Sequence, residues 1–361
     1  MTIFSVGPVE MYPATRAILG AQEPYFRTAE FSAEVLAARE AFLTCVNAPA
    51  DAKFALLTAS GSGAMEAAVT NLLAPGDGAI VVNTGSFGNR FAELCRRAGA
   101  HVTEITLPFL EGDLTPEMLE DAFANACEGG EGAAPAALFI QGCETSSGRK
   151  FDLATVGAFC AAHGMVFVVD AVSAFLADEI DMKVQRIDLV LTASQKALSL
   201  TPGMSFIVAG PRALAAIERN HGYAAAYFDL PNCFKNMERG QTPYTCPVAN
   251  VLAFRQRICD IAERGVQAEM AIHAARAAYF RGKLPELGFV LPDMPISNCC
   301  TPLIFANGGA QETYKRLRYE YDLTLCPSGG ANADRILRVG HMGNLCEADY
   351  DAVEAALKAI R

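Results

Sequence analysis

Four places in the 361-residue chain combine side chains suited to chemistry. Lys196 stands in DLVLTASQKAL, where an apolar run delivers an amine among the small polar residues Thr192, Ser194 and Gln195. A desolvated lysine of this kind can form a Schiff base, although a snorkelling surface lysine is the plainer reading. Asp170 ends the run VFVVD, which sets a carboxylate at the rim of a buried sheet. A helix cap or turn accounts for many such aspartates, but at this depth the charge calls for a cationic partner. Lys196 follows Asp170 by 26 residues, one strand–loop–strand apart, so both can reach one pocket. Ser60-Gly61-Ser62-Gly63 forms a small-residue turn before a helical pattern. Such a turn offers backbone N–H groups and a favourable dipole to an anion, or is an ordinary tight turn. Arg338 lies in LRVGHMG, an apolar strand pattern in which a guanidinium needs either a bidentate anion or an internal salt bridge.

The elements that must position these residues are visible in the apolar patterning. Runs at 54–58, 79–82, 102–107, 137–141, 166–170, 189–192 and 205–209 alternate with Ala-rich helical stretches such as AMEAAVTNLL. Short β-branched runs alternating with helices predict a mostly parallel sheet covered on both faces, with its ligand site at the carboxyl ends of the strands. After Tyr244 the character changes. Residues 248–284 predict one long helix or a broken pair. Short strands follow near 289–291, 303–305, 323–325 and 336–339, with helices at 311–321 and 347–361. The expected organisation is a large α/β domain over 1–245, its N-terminal residues able to pack on the smaller unit, and a C-terminal α+β domain over 246–361. The patch GGEGAAPAA at 129–137 reads as a surface loop.

Composition narrows the function. Hydrophobic residues make up 52% and charged residues 19%, which supplies core material for a folded chain. The 29 basic and 40 acidic residues give a net charge of −11, which argues against nucleic acid or an anionic membrane as partner. No apolar window approaches the ~18 residues of a membrane span. The start, MTIFSVGPVEMYP, lacks the basic-then-apolar form of a signal peptide, so a cytoplasmic location is expected. None of the twelve cysteines forms a C-x-x-C pair, and in a reducing compartment they are expected to be free thiols used for packing.

Taken together and in this order, the motifs resemble fold type I pyridoxal-phosphate enzymes. More narrowly they resemble the class V aminotransferases, the alanine–glyoxylate, serine–pyruvate and 2-aminoethylphosphonate–pyruvate group. The resemblance runs from VGPVEMYP through FRTAEF, ASGSGAMEA, NTGSFGNR, CETSSG, VVDAVSA, ASQKAL, TPGMSF and TCPV to LRVGHMG, with ASQKAL and PGMSF the most specific segments. It implies a seven-stranded large domain and a pyridoxal 5′-phosphate cofactor. Lys196 would hold the cofactor as a Schiff base and then act as base and acid, and Asp170 would pair with the ring nitrogen. Phe87 would stack on the ring and Thr145 would reach its hydroxyl oxygen. Ser60, Gly61, Ser62, Gly63 and Gln195 would form the phosphate seat. Thr245 would reach the phosphate of a neighbouring subunit, which implies a homodimer with composite sites. Arg338 would clamp a substrate carboxylate, with Arg27 at the mouth. Many relatives carry His-Arg where this chain has Phe26-Arg27.

Two other readings belong beside this one. A class V lyase of the cysteine desulfurase type needs a mobile cysteine shortly before the clamp arginine, and Cys326 precedes Arg338 by 12 residues. Such enzymes would carry histidine where this chain has Gln195 and Phe87. A non-catalytic relative would be expected to have lost Lys196, Asp170 or Arg338, and all three are present.

Overall fold

The computed structural model describes residues 1–128, 134–220 and 226–360. The first five residues of the expected surface loop, 129–133, lie outside the described residues. A seven-stranded sheet forms the centre. Its order is Lys53–Leu57, Ser205–Ala209, Leu189–Ala193, Val166–Asp170, Ala137–Gln141, Gly78–Asn83 and His101–Thr106. Ser205–Ala209 runs antiparallel to both neighbours, and the other six strands are parallel to one another. All five residues of each of the four strands Ala137–Gln141, Val166–Asp170, Leu189–Ala193 and Ser205–Ala209 are buried. That is why they read as continuous apolar runs and not as alternating ones.

Two apolar layers cover the sheet. On one face Ile80, Leu138, Val169 and Phe206 pack with Phe42 of the helix Ala29–Cys45 and Phe254 of the helix Val248–Arg264. On the other, Val81, Phe139, Val168 and Leu191 pack with Met65 of the helix Gly61–Leu72 and Phe91 of the helix Ser86–Arg97. This second layer places two helix N-termini beside the carboxyl ends of the central strands.

A smaller four-stranded sheet has the order Thr2–Phe4, Leu323–Pro327, Ile336–Gly340, Cys300–Ile304. The N-terminal strand pairs in parallel with Leu323–Leu325. Phe4, Leu325, Val339 and Leu303 pack against Leu317 of the helix Ala310–Glu320 and Tyr350 of the helix Glu347–Ile360. The long helical pattern after Tyr244 breaks at Gly265, whose φ of +87° ends one helix at Arg264 and starts the next at Val266.

Two expectations need correction. No strand forms at 289–291: the Phe289 amide turns back to the Leu284 carbonyl at 3.0 Å, burying one ring while Val290 stays exposed. The cysteines are all free, but Cys127 and Cys346 are exposed and contribute nothing to a core. No helix among the described residues is long and apolar enough to cross a membrane.

Candidate active site

The strands Val166–Asp170 and Leu189–Ala193 are parallel neighbours, with Asp170 in register with Leu191. Their carboxyl ends therefore bring Asp170 and the turn after Ala193 to the same rim. That turn is tied down by Ser194, whose amide donates to the Met204 carbonyl at 3.0 Å and whose hydroxyl donates to the Thr201 carbonyl at 2.7 Å. Ser199, at φ +58°, returns its amide to the Lys196 carbonyl at 2.7 Å. The result is a rigid seat for a buried lysine.

Lys196 Nζ donates to the Val6 carbonyl at 2.6 Å. The strap that follows the N-terminal strand thus crosses directly over the amine. Gly7, at φ +132°, makes this possible: a Cβ there would lie 2.6 Å from Lys196 Cδ and 2.8 Å from Cε. Burial lowers the basicity of the amine, opposed by the nearby thiols of Cys299 and Cys326 and by Asp170. Asp170 is buried, and burial pushes its carboxyl up to about 7. The Val172 amide, donating to Oδ1 at 2.8 Å, works against that rise, as do Lys196 and Arg90, while Glu144 adds to it.

The small-residue turn caps its own helix. Ser60 Oγ accepts from the Gly63 amide at 3.4 Å. Gly61 and Gly63 are required by close packing, since a Cβ would sit 2.8 Å from Val172 Cγ2 and from Ala59 Cβ respectively. Ser62 Oγ accepts from Arg90 Nη1 at 2.8 Å, and the Arg90 guanidinium lies 4.9 Å over the Phe87 ring. Phe87 and the phosphate-type turn are thereby joined. Gln195, beside Lys196, has a buried Oε1 without a hydrogen-bond partner.

Arg338 reaches this rim from the smaller sheet. It is buried, its Nη1 donates to the Thr145 carbonyl and its Nη2 to the Pro327 carbonyl, both at 2.8 Å, and its Nε is buried without a partner. Among the described residues it forms no ion pair, so the salt-bridge alternative is not realised. Thr145 Oγ1 meets Ser173 Oγ at 2.6 Å. Cys326 is the register partner of Arg338 on the adjacent strand Leu323–Pro327, a paired strand position.

Two expected residues make their hydrogen bonds outside the Lys196, Asp170 and Arg338 group. Arg27 is bound into the segment 241–243: Nη1 donates to Gln241 Oε1 at 2.9 Å and to the Thr242 carbonyl at 2.8 Å, Nη2 to the Pro243 carbonyl at 3.2 Å. Thr245, just beyond, is exposed, and its carbonyl accepts from Thr58 Oγ1 at 3.4 Å. Sequence reasoning missed Val6, Ser173, Arg90 and Glu144. Arg90 was findable, three residues after Phe87 on one helix face. Val6 carries no local signal, because only its carbonyl is used.

These residues fit pyridoxal phosphate. The amine has lowered basicity, a buried carboxyl shares its rim, Gln195 has a buried side-chain oxygen without a partner, and Arg338 is a buried cation without a counter-ion among the described residues. Fold and site define a fold type I transferase. The chain belongs to the aminotransferase class-V family, whose model matches residues 18–301, and that family depends on pyridoxal phosphate. The chain is similar to a soluble hydrogenase small subunit of a Synechococcus species, 28% identical over 98% of this chain and 91% of that one. It is also similar to the L-aspartate–glyoxylate aminotransferase of Paracoccus denitrificans, 26% identical over 81% of this chain and 74% of that one. Among solved structures, an alanine–glyoxylate aminotransferase of a Nostoc species superposes with a TM-score of 0.91 at 25% identity, covering 99% of this chain and 95% of that one.

Proposed function

We infer that this aminotransferase moves an amino group from a small amino acid or aminophosphonate, such as alanine, serine or 2-aminoethylphosphonate, to glyoxylate or pyruvate. The observation that carries this reading is the meeting, at one rim of the sheet, of a buried Lys196 amine, a buried Asp170 carboxyl and an Arg338 cation with no acidic partner among the described residues. Glyoxylate is favoured as acceptor because it stands in the names of both the Paracoccus and the Nostoc relatives.

Pyridoxal phosphate, held on Lys196, supplies an electron-accepting ring that makes the substrate Cα–H acidic. Asp170 would pair with the protonated ring nitrogen, the cationic partner that its buried charge needs. Lys196 Nζ, whose basicity burial lowers, would serve as the base that takes the substrate's Cα proton and as the acid that returns it. The amides of the Gly61–Gly63 turn and the Gln195 side-chain NH2 would hold the phosphate, and Phe87 would cover one ring face. Arg338 binds the substrate carboxylate in the fork geometry that a lysine cannot offer. Thr245, exposed beyond the Arg27 clamp, serves the phosphate of a second copy in a cytoplasmic homodimer.

The test is a half-reaction screen. The cofactor-loaded protein is mixed with alanine, serine, aspartate, glutamate and 2-aminoethylphosphonate, and loss of the cofactor's visible band is followed. Discharge by one small donor and recovery with glyoxylate support the reading. A protein that releases sulfide from cysteine and ignores every other donor is instead the desulfurase-type lyase.

A further inference from the structure

The helix Ser86–Arg97 begins without a cap of its own. Its N-cap is Gly85, which offers no side chain, and its first turn contains no acidic residue. The N–H groups of a helix's first turn need acceptors, and here two of them are served from 57 and 56 residues away. Glu144 Oε2 accepts from the Phe87 amide and from the Gly88 amide, both at 3.0 Å. Its Oε1 accepts from the Ser146 amide at 3.1 Å and the Ser146 hydroxyl at 2.6 Å. The carboxylate is wholly buried and spends both oxygens on donors. The fit is close: a Cβ at Gly85 would lie 2.6 Å from Glu144 Cδ. The residue after Glu144 is Thr145, whose carbonyl receives Arg338 Nη1. One side chain therefore fixes the start of the helix that presents Phe87 and anchors the turn on which Arg338 rests.

We propose that Glu144 is a positioning residue that sets the Phe87 ring and the Arg338 turn in mutual register, acting through the acceptor oxygen it extends to the Phe87 and Gly88 amides. This rests on reading the site as a pyridoxal-phosphate seat. The requirement is for an oxygen at the right reach. Gln keeps one oxygen for the two helix amides; its NH2 replaces Oε1, where the Ser146 hydroxyl can rotate to accept from it while the Ser146 amide loses its acceptor, so the loss falls at Ser146 and not at the helix. Asp keeps the charge but withdraws it by one methylene. Ala removes the acceptor and leaves the Gly88 amide buried without one.

Pyridoxal phosphate is titrated into wild type, Glu144→Gln, Glu144→Asp and Glu144→Ala. The dissociation constant and the visible circular dichroism of the bound cofactor are read, with far-ultraviolet dichroism as the control for folding. The expected order is Gln within about threefold of wild type, with Asp and Ala weaker by about tenfold or more and with most of the induced dichroism lost. If Ala does not fold, the Gln–Asp comparison decides alone. Asp binding as well as Gln, Gln falling as far as Ala, or Ala retaining wild-type affinity and dichroism overturns the proposal. A wild-type chain that takes up no pyridoxal phosphate overturns the proposed function together with this inference, so the two failures are distinguishable.

Discussion

Lys196 Nζ donates to the carbonyl oxygen of Val6 at 2.6 Å, so the buried amine is oriented by backbone that follows a strand of the smaller sheet. Gly7 is the residue that permits the approach. Gly7→Ala meets both a collision with Lys196 Cδ and a φ of +132°. The expected cost is about 1–3 kcal/mol of stability and a several-fold slower attachment of pyridoxal phosphate. Thermal unfolding and the rise of the cofactor's visible band check the two effects.

Lys196→Ala removes the amine altogether. Turnover should fall to background, and added pyridoxal phosphate should dialyse away where wild type retains it. A variant that keeps measurable aminotransfer would assign the proton-moving role elsewhere.

Asp170 makes a prediction about stability that needs no catalysis. Its carboxyl is pushed up to about 7 in the folded chain by burial, against an ordinary value of 3.8. Between about pH 4 and pH 7 the folded protein therefore holds a proton that the unfolded chain has released, so this group's contribution falls as pH rises through that window. In the cofactor-free protein, Asp170→Asn should be more stable than wild type at pH 8, by about 2–4 kcal/mol, and nearly equal to it at pH 4. Urea unfolding at the two pH values reads the difference. The same variant should lose aminotransfer by orders of magnitude, because the ring proton is no longer held.

Arg338 sits on two carbonyls and has no acidic partner among the described residues. Arg338→Ala should raise KM for α-carboxylate donors by about ten- to hundredfold, equivalent to about 1.4–3 kcal/mol. Arg338→Lys should recover only part of the loss, since a point charge cannot make both contacts of the fork. An unchanged KM for alanine would remove the clamp role.

Cys326 separates the aminotransferase from the lyase. It lies on a paired strand beside Arg338. Cys326→Ala should retain amino transfer within a few-fold of wild type. Loss of all activity, with cysteine as the only competent donor beforehand, would reverse the assignment.

The parts of this molecule legible in the sequence are those specified locally. Six of the seven runs were readable because strands buried on both faces carry near-continuous hydrophobic sequence, whereas the edge strand His101–Thr106 has a single buried residue, Ile105. Lys196, Asp170 and Arg338 were readable because each places a charge where its neighbours are apolar or small. The turn Ser60–Gly63 announced itself through glycines that close packing requires. The strand expected at 289–291 was not formed, because three apolar residues in a row say nothing about whether a partner strand exists. The missed contacts, Val6 to Lys196 and Glu144 to the helix of Phe87, join positions 190 and 57 residues apart. One of them uses only a backbone oxygen, which every residue has.

The N-terminal strand has a consequence for how the protein is made. Thr2–Phe4 is made more than 300 residues before its pairing partner, Leu323–Leu325. The large sheet can assemble while translation continues, but the strap over Lys196 has no anchored strand behind it until Leu323–Leu325 has been made. A nascent chain thus carries its amine uncovered while the residues between Lys196 and Leu325 are being made, and the pocket closes as a late, long-range event.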